Sequence, residues 1–183
     1  MKHTISPNRI NASLLCSGRI ILLFIYFSLL LSVTFLGREP ESERMAWLTL
    51  FGSFFRAWSE QHAFIFWGIV ANFMLMLPLG ILLGFGRRGL SFWKTVLCAA
   101  AVSVCIECVQ YLTRLGYFDV DDILTNVWGA AAGSGFCTCI RKLLAEARRG
   151  GPPKWAAIFA PLLPFAAFLL FFGHFLLRMR QAV

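Results

Sequence analysis

Five runs of apolar residues constrain the fold of this chain more than any other feature of its sequence. The runs lie near residues 20–36, 63–85, 91–112, 123–143 and 155–177. A helix of about 20 apolar residues crosses the hydrocarbon core of a bilayer, which is about 30 Å thick. We therefore predict an all-α fold, a transmembrane helical bundle of about five spanning helices. The alternative is four, if the first run lies elsewhere.

The composition excludes several classes of protein. Hydrophobic residues make up 58% of the 183 residues and charged residues only 14%, more apolar surface than a soluble domain of this size could bury. The spanning runs use most of the chain, which leaves no room for a separate soluble enzyme. The net charge of +8 comes from Lys and Arg between the runs. That pattern is typical of membrane topology and does not indicate a nucleic-acid partner.

The charges between the runs also predict the orientation of the chain. Basic residues gather in the cytoplasmic loops of membrane proteins. An N-terminus in the cytoplasm places eleven of the 17 basic residues on that side: Lys2, Arg9, Arg19, Arg87, Arg88, Lys94, Arg141, Lys142, Arg148, Arg149 and Lys154. Arg178 and Arg180 then fall outside, against the rule. We predict a multi-pass protein of a bacterial inner membrane.

The runs divide the chain into five parts. Residues 1–36 form a cytoplasmic leader and a first anchor helix, and residues 37–62 an extracytoplasmic or interfacial segment. Residues 63–143 form a core of three helices, residues 144–154 a cytoplasmic loop, and residues 155–183 the last helix and a tail. Gly150, Gly151, Pro152 and Pro153 are expected to end the fourth helix, because proline cannot continue a hydrogen-bonded helix.

Apolar side chains recur at helical spacing in the segment after the first run. They are Trp47, Leu50, Phe51, Phe54, Phe55 and Trp58. This stripe predicts a short helix. It lies either in the membrane boundary, where indole rings favour the headgroup level, or against the top of the bundle.

Polar side chains inside spanning helices are costly, so those that occur are candidates for function. Glu107 is the carboxylate placed this way, roughly 8 Å below the end of the third spanning helix at about 1.5 Å per residue. Gln110 and Arg114 follow on the same helical face. On the next helix, Asp122 and Asn126 share a face, with Asn126 roughly 6 Å deep.

Small residues and a proline suggest how these faces meet. Gly129 and Gly133 have the spacing that lets two membrane helices approach closely, which would bring the two polar faces together. The second spanning helix carries Asn72, and Pro78 followed by Gly80 suggests a kink or an interruption in it. Interrupted membrane helices often line binding sites.

The acidic turn before the fourth helix has two interpretations. Asp119, Asp121 and Asp122 either begin a helix, where acids favour the positive end of its dipole, or bind a hard cation or a cationic ligand group. The identity of any metal stays open. Cys105 and Cys108 have CxxC spacing, but no second ligand pair is evident, so free thiols are expected. No cofactor is predicted.

Taken together, these residues resemble the VanZ-like family. The resemblance covers about residues 63–143 and rests on Glu107, Gln110, the acidic turn, Asn126 and Gly129, preceded by Asn72, Pro78 and Gly80. The family usually has an arginine three residues before the position of Asp119, where this chain has Gly116. The nearest basic residue is Arg114, whose long side chain could reach the same space.

The resemblance implies a multi-pass envelope protein, and the family's named member is associated with low-level resistance to teicoplanin. We expect binding of an amphiphile or partner at the polar residues rather than catalysis, with membrane lipids, a cell-wall precursor or a lipoglycopeptide as partners. The alternatives are a membrane enzyme or a transporter acting on a lipid-linked phosphate, the transporter being supported by the interrupted second helix. Intramembrane proteolysis by Ser134 and His174 has little support, because the two lie at different depths.

Overall fold

The computed structural model describes residues 7–85, 89–149 and 154–181. The chain divides into two compact units, the first ending at Leu36 and the second beginning at Gly37. The first unit holds one helix, α1 (Pro7–Phe35). The second holds the elements β1 (Ala46–Trp47), α2 (Gly52–Ser59), α3 (Ala63–Gly84), α4 (Phe92–Thr113), β2 (Phe118–Asp119), α5 (Val120–Arg149), α6 (Trp155–Phe159), a 3₁₀ turn (Ala160–Leu162) and α7 (Leu163–Gln181).

The predicted spanning helices are present. Within the described ranges, five helical segments are long and apolar enough to cross a membrane: Ser17–Phe35, Ala63–Gly84, Phe92–Thr113, Val120–Arg149 and Trp155–Arg178. The predicted all-α fold with about five spanning helices is therefore confirmed, and the short helix α2 follows the first of them. The predicted turn at Gly150, Gly151, Pro152 and Pro153 lies outside the described residues, as do Lys2, Arg87 and Arg88.

The last span differs from the single helix that the apolar run predicts. It consists of α6, the 3₁₀ turn and α7, with Pro161 inside the turn. Proline has no N–H to donate, so the carbonyl of Ala157, four residues before Pro161, loses its helical partner. Lys142 Nζ of α5 donates to that carbonyl at 2.7 Å. A basic side chain therefore satisfies the group that the proline leaves open.

Glycines set the distance between α3 and α5. A Cβ built on Gly129 would lie 2.1 Å from the carbonyl oxygen of Phe73, and one on Gly133 would lie 2.2 Å from that of Leu77. From the other side, a Cβ on Gly80 would lie 2.0 Å from the carbonyl oxygen of Ala130. The close approach predicted for Gly129 and Gly133 is thus present, but their partner is α3. The expectation that they face the helix of Glu107 is wrong, since spacing alone does not identify the partner helix.

The second spanning helix is not interrupted at Pro78. Helix α3 runs from Ala63 to Gly84 with Pro78 inside it and exposed. Of the two expectations for Pro78, a kink or an interruption, the interruption is therefore wrong. A proline removes only one helical hydrogen bond, and the tight packing of α3 on α5 provides enough contacts to keep the helix continuous.

The aromatic stripe after the first span divides between two environments. Phe54 and Trp58 pack on the core formed by α3 and α7, with the Trp58 ring 4.7 Å from that of His174. Phe55 is 70% exposed. One face of α2 thus packs on α3 and α7. The opposite face is exposed and apolar. Arg178 lies over the Trp58 ring at 5.1 Å and forms a cation–π contact with it.

Candidate functional site

The segment before α2 crosses the connection between α4 and α5. Strands β1 and β2 pair in parallel, with Ala46 opposite Phe118. Nearby, the Glu41 N–H donates to the carbonyl of Arg114 at 2.8 Å. We refer to this part of the second unit as the α4–α5 end. The backbone of the segment before α2 covers this end. Residues that are far apart in sequence therefore lie beside the acidic turn.

Two of the three aspartates of the turn hold helix ends. Asp119 directly precedes α5, and its Oδ1 accepts the N–H of Asp121 at 2.8 Å, the arrangement of a helix N-cap. Asp121 is 1% exposed, and its two carboxylate oxygens accept the N–H groups of Phe51 at 2.6 Å and Ser53 at 2.7 Å. Asp121 therefore satisfies two N–H groups at the start of α2, and its carboxylate joins α2 to α5.

Glu107 lies buried beneath the same turn. Its side chain is 2% exposed, and its Oε2 accepts the N–H of Asp119 at 2.9 Å. The acids of Asp119 and Asp122 are close enough to interact with it electrostatically. We name Glu107, Asp119 and Asp122 the acidic cluster.

Asn72 connects α3 to the acidic cluster. Its side chain hydrogen-bonds to the carboxylate of Asp122. Three spanning helices, α3, α4 and α5, thus each contribute a polar side chain to this end. The helical spacing indicates the meeting of the faces that carry Glu107 and Asp122, whereas it left the place of Asn72 open.

Asn126 lies one turn deeper, in the interface of α4 and α5. Its Nδ2 donates to Ser103 Oγ at 2.9 Å, and Ser103 is four residues before Glu107 on α4. The Asn126 side chain is 4% exposed, and its Oδ1 has no hydrogen-bond partner. Buried polar atoms normally have a partner, so this acceptor oxygen requires an explanation.

The basic residue beside Gly116 is Arg38 rather than Arg114. Arg114 is exposed at the end of α4. Arg38 Nη1 donates to the carbonyl of Leu115 at 3.2 Å and lies 3.1 Å from where a Cβ of Gly116 would be. The guanidinium thus lies beside the glycine that replaces the usual arginine. Gln110 is buried next to it, with its Cδ 3.3 Å from the same Cβ position.

The acidic cluster has little local neutralisation. Among the residues that the structure describes, the one ion pair within 4.0 Å joins Arg149 and Glu146, near the far end of α5. Arg38 acts on Glu107 and Asp122 at longer range. Burial raises the pKa of the Asp119 carboxyl, and the nearby Asp121 raises it further, whereas hydrogen bonds and Arg56 lower it. The site is therefore rich in acceptors, and the cations that act on it, Arg38 and Arg56, form no direct ion pair with it.

An open apolar groove adjoins the acidic cluster. Its volume is about 360 Å³, and it is lined by Ala46, Cys108, Tyr111, Leu112 and Phe118. Two of these residues are sequence neighbours of the cluster, Cys108 next to Glu107 and Phe118 next to Asp119. Strand β2 and one turn of α4 thus each contribute residues both to the acidic cluster and to the apolar groove.

Metal and serine-histidine sites receive no support from the geometry. The described parts of the chain contain no group of three His, Cys, Asp or Glu side chains that could hold a metal ion. Cys98, Cys105, Cys108, Cys137 and Cys139 are free thiols, as expected, and the Cys16 side chain is outside the described set. His174 packs on Trp58 beside α2, whereas Ser134 lies next to Gly84 where α3 ends.

Sequence reasoning missed the parts of the site contributed by the segment before α2. Arg38, Ser53 and Ser103 belong to the site, yet none stands out by itself. Ser103 could have been found, because it lies one helical turn from Glu107. No sequence signal indicates Arg38 or Ser53, since their place depends on how residues 37–53 cross the turn.

Comparison with known proteins gives one family and no individual relative. The family model VanZ/LLP1 matches residues 20–141, about two thirds of the chain. A search of curated proteins found no significant match. A search of solved structures likewise found none.

Proposed function

Because this chain belongs to the VanZ/LLP1 family, we propose that it is a non-catalytic membrane protein of the cell envelope that binds an amphiphilic ligand at the acidic cluster. The observation that carries the proposal is the burial of Glu107 and Asn126 at one end of the spanning helices, where sequence neighbours of Glu107 and Asp119 line an apolar groove. The polar group of an amphiphile would bind the polar residues, and its apolar chain would lie in the groove. Ligand sites commonly combine such apolar walls with few polar groups.

Charge supports an outward orientation of the α4–α5 end. The opposite ends of α4 and α5 carry basic residues, which cytoplasmic segments favour: Lys94, Arg141, Lys142, Arg148 and Arg149. We therefore place the protein in the bacterial cytoplasmic membrane with its N-terminus in the cytoplasm. The acidic cluster then meets the outer leaflet.

Two kinds of outer-leaflet amphiphile suit this location. Lipid-linked cell-wall precursors and lipoglycopeptides of the teicoplanin type each combine an acyl or prenyl chain with a large polar part. Binding of either links the protein to glycopeptide resistance, by sequestering the drug or its target.

The alternatives have weaker support. A transporter was favoured by an interruption of the second span, and α3 is continuous through Pro78. An enzyme acting on a lipid phosphate gathers several cations directly at the phosphate, whereas no basic side chain forms an ion pair with the acidic cluster among the described residues.

Ligand binding by the purified protein in lipid nanodiscs tests the proposal. Labelled teicoplanin and a labelled lipid-linked precursor are titrated against the wild type, Glu107→Gln and the control Glu146→Gln at the other end of α5. We expect one ligand to bind the wild type and the control alike and to lose about tenfold in affinity, or 1.4 kcal/mol, with Glu107→Gln. Absence of binding, or equal binding by Glu107→Gln, would contradict it.

A further inference from the structure

The hydrogen-bonding groups of the site indicate what the ligand must supply. The acidic cluster offers six carboxylate oxygens, and the donors that reach them are few: the Asp119 and Asp121 N–H groups, the Ser53 hydroxyl and the Asn72 side chain. A carboxylate accepts about four hydrogen bonds. Protein donors therefore fill only part of the acceptor capacity of the cluster.

An independent observation points the same way. Asn126 Oδ1 is buried and unpartnered, one helical turn from Asp122 on α5, and its amide is bonded to Ser103, one turn from Glu107. Burying such an acceptor without a hydrogen-bond partner costs about 1–3 kcal/mol. This oxygen is neutral, so its need for a donor does not depend on the charges above it.

The charge balance adds a second requirement. No basic side chain lies within 4.0 Å of the acidic cluster in the described parts of the chain. The two cations that act on it, Arg38 and Arg56, donate instead to the Leu115 carbonyl and to Ser53 Oγ. Buried carboxylates without a paired cation are strongly unfavourable. A phosphate or carboxylate on the ligand would increase this repulsion.

From these observations we infer that the polar group recognised at the acidic cluster is an ammonium group, a cation with up to three N–H donors. It supplies the positive charge and the donors together, which a neutral hydroxyl or an anionic phosphate does not. The inference rests on the proposed binding function and narrows the ligand to amphiphiles that carry a free amine.

Two probes with the same chain separate this inference from the function on which it rests. Dodecylammonium and dodecyl phosphate are titrated against the protein in nanodiscs of uncharged lipid, with Glu107→Gln, Arg38→Gln and the control Glu43→Gln, an exposed acid of the same end. We expect dodecylammonium to bind the wild type at least tenfold more tightly than dodecyl phosphate. Glu107→Gln weakens its binding about tenfold, and Glu43→Gln leaves it unchanged.

Arg38→Gln distinguishes charge recognition from a structural effect. Removing this cation strengthens the field of the acidic cluster, so dodecylammonium binds several-fold more tightly, whereas damage to the site would weaken it. Dodecyl phosphate binding as tightly as dodecylammonium, and sensitive to Glu107→Gln, would overturn the ammonium inference and leave the binding site intact. Failure of both probes would overturn the site as well.

Discussion

The carboxylate of Asp121 accepts the backbone N–H of Ser53 at 2.7 Å, across 68 residues of sequence. This bond joins the start of α5 to the start of α2. It fixes the segment that carries Arg38 and β1 over the acidic turn. The site thus depends on a contact between two helix N-termini. The start of α5 supplies the carboxylate that accepts a backbone N–H at the start of α2.

Asp121→Ala is expected to lower the free energy of unfolding by about 1–3 kcal/mol, since one buried and one part-buried backbone N–H group lose their acceptor. Residues 51–59 should then exchange their amide hydrogens faster. Thermal unfolding with hydrogen-exchange mass spectrometry measures both effects, and Glu60→Gln at the end of α2 is the control. Unchanged exchange in α2 would show that Asp121 does not hold this helix.

Gly129→Ala is expected to destabilise the protein by about 1–3 kcal/mol, because the added methyl group meets the Phe73 carbonyl at 2.1 Å and α3 must move. Gly68→Ala is the matched control, because nothing lies within 4 Å of the Cβ added there. Unfolding midpoints in detergent compare the two variants. Equal midpoints would contradict the close contact of α3 and α5.

Trp128→Phe tests how the broken last span is attached. The Trp128 indole donates to the Pro164 carbonyl at 2.7 Å, linking α5 to α7. Phenylalanine keeps the ring but removes the donor, so we expect a loss of about 0.6–1.7 kcal/mol, as for other hydrogen bonds in membrane proteins. Trp93→Phe, at an exposed position of α4, should have no effect. A similar loss in both variants would exclude a specific role for the indole.

Much of the helical framework could be predicted, because long apolar runs and helical periodicity are local properties. The shared interface of Glu107 and Asn126 followed from spacing along two neighbouring helices. The partner of Gly129 did not, since a small-residue pattern fits any adjacent helix. The roles of Arg38 and Asp121 could not be predicted, because they depend on the path of an irregular segment whose contacts are all distant in sequence.

The position of the bound ligand tests the central claim most directly. Amide hydrogen exchange is measured for the wild type in nanodiscs with and without the tighter-binding amphiphile, and for Glu107→Gln under the same conditions. Protection confined to residues 107–122 and the adjoining β1, and absent in Glu107→Gln, is the predicted result. Protection elsewhere in the chain, or equal protection in the variant, would contradict recognition at the acidic cluster.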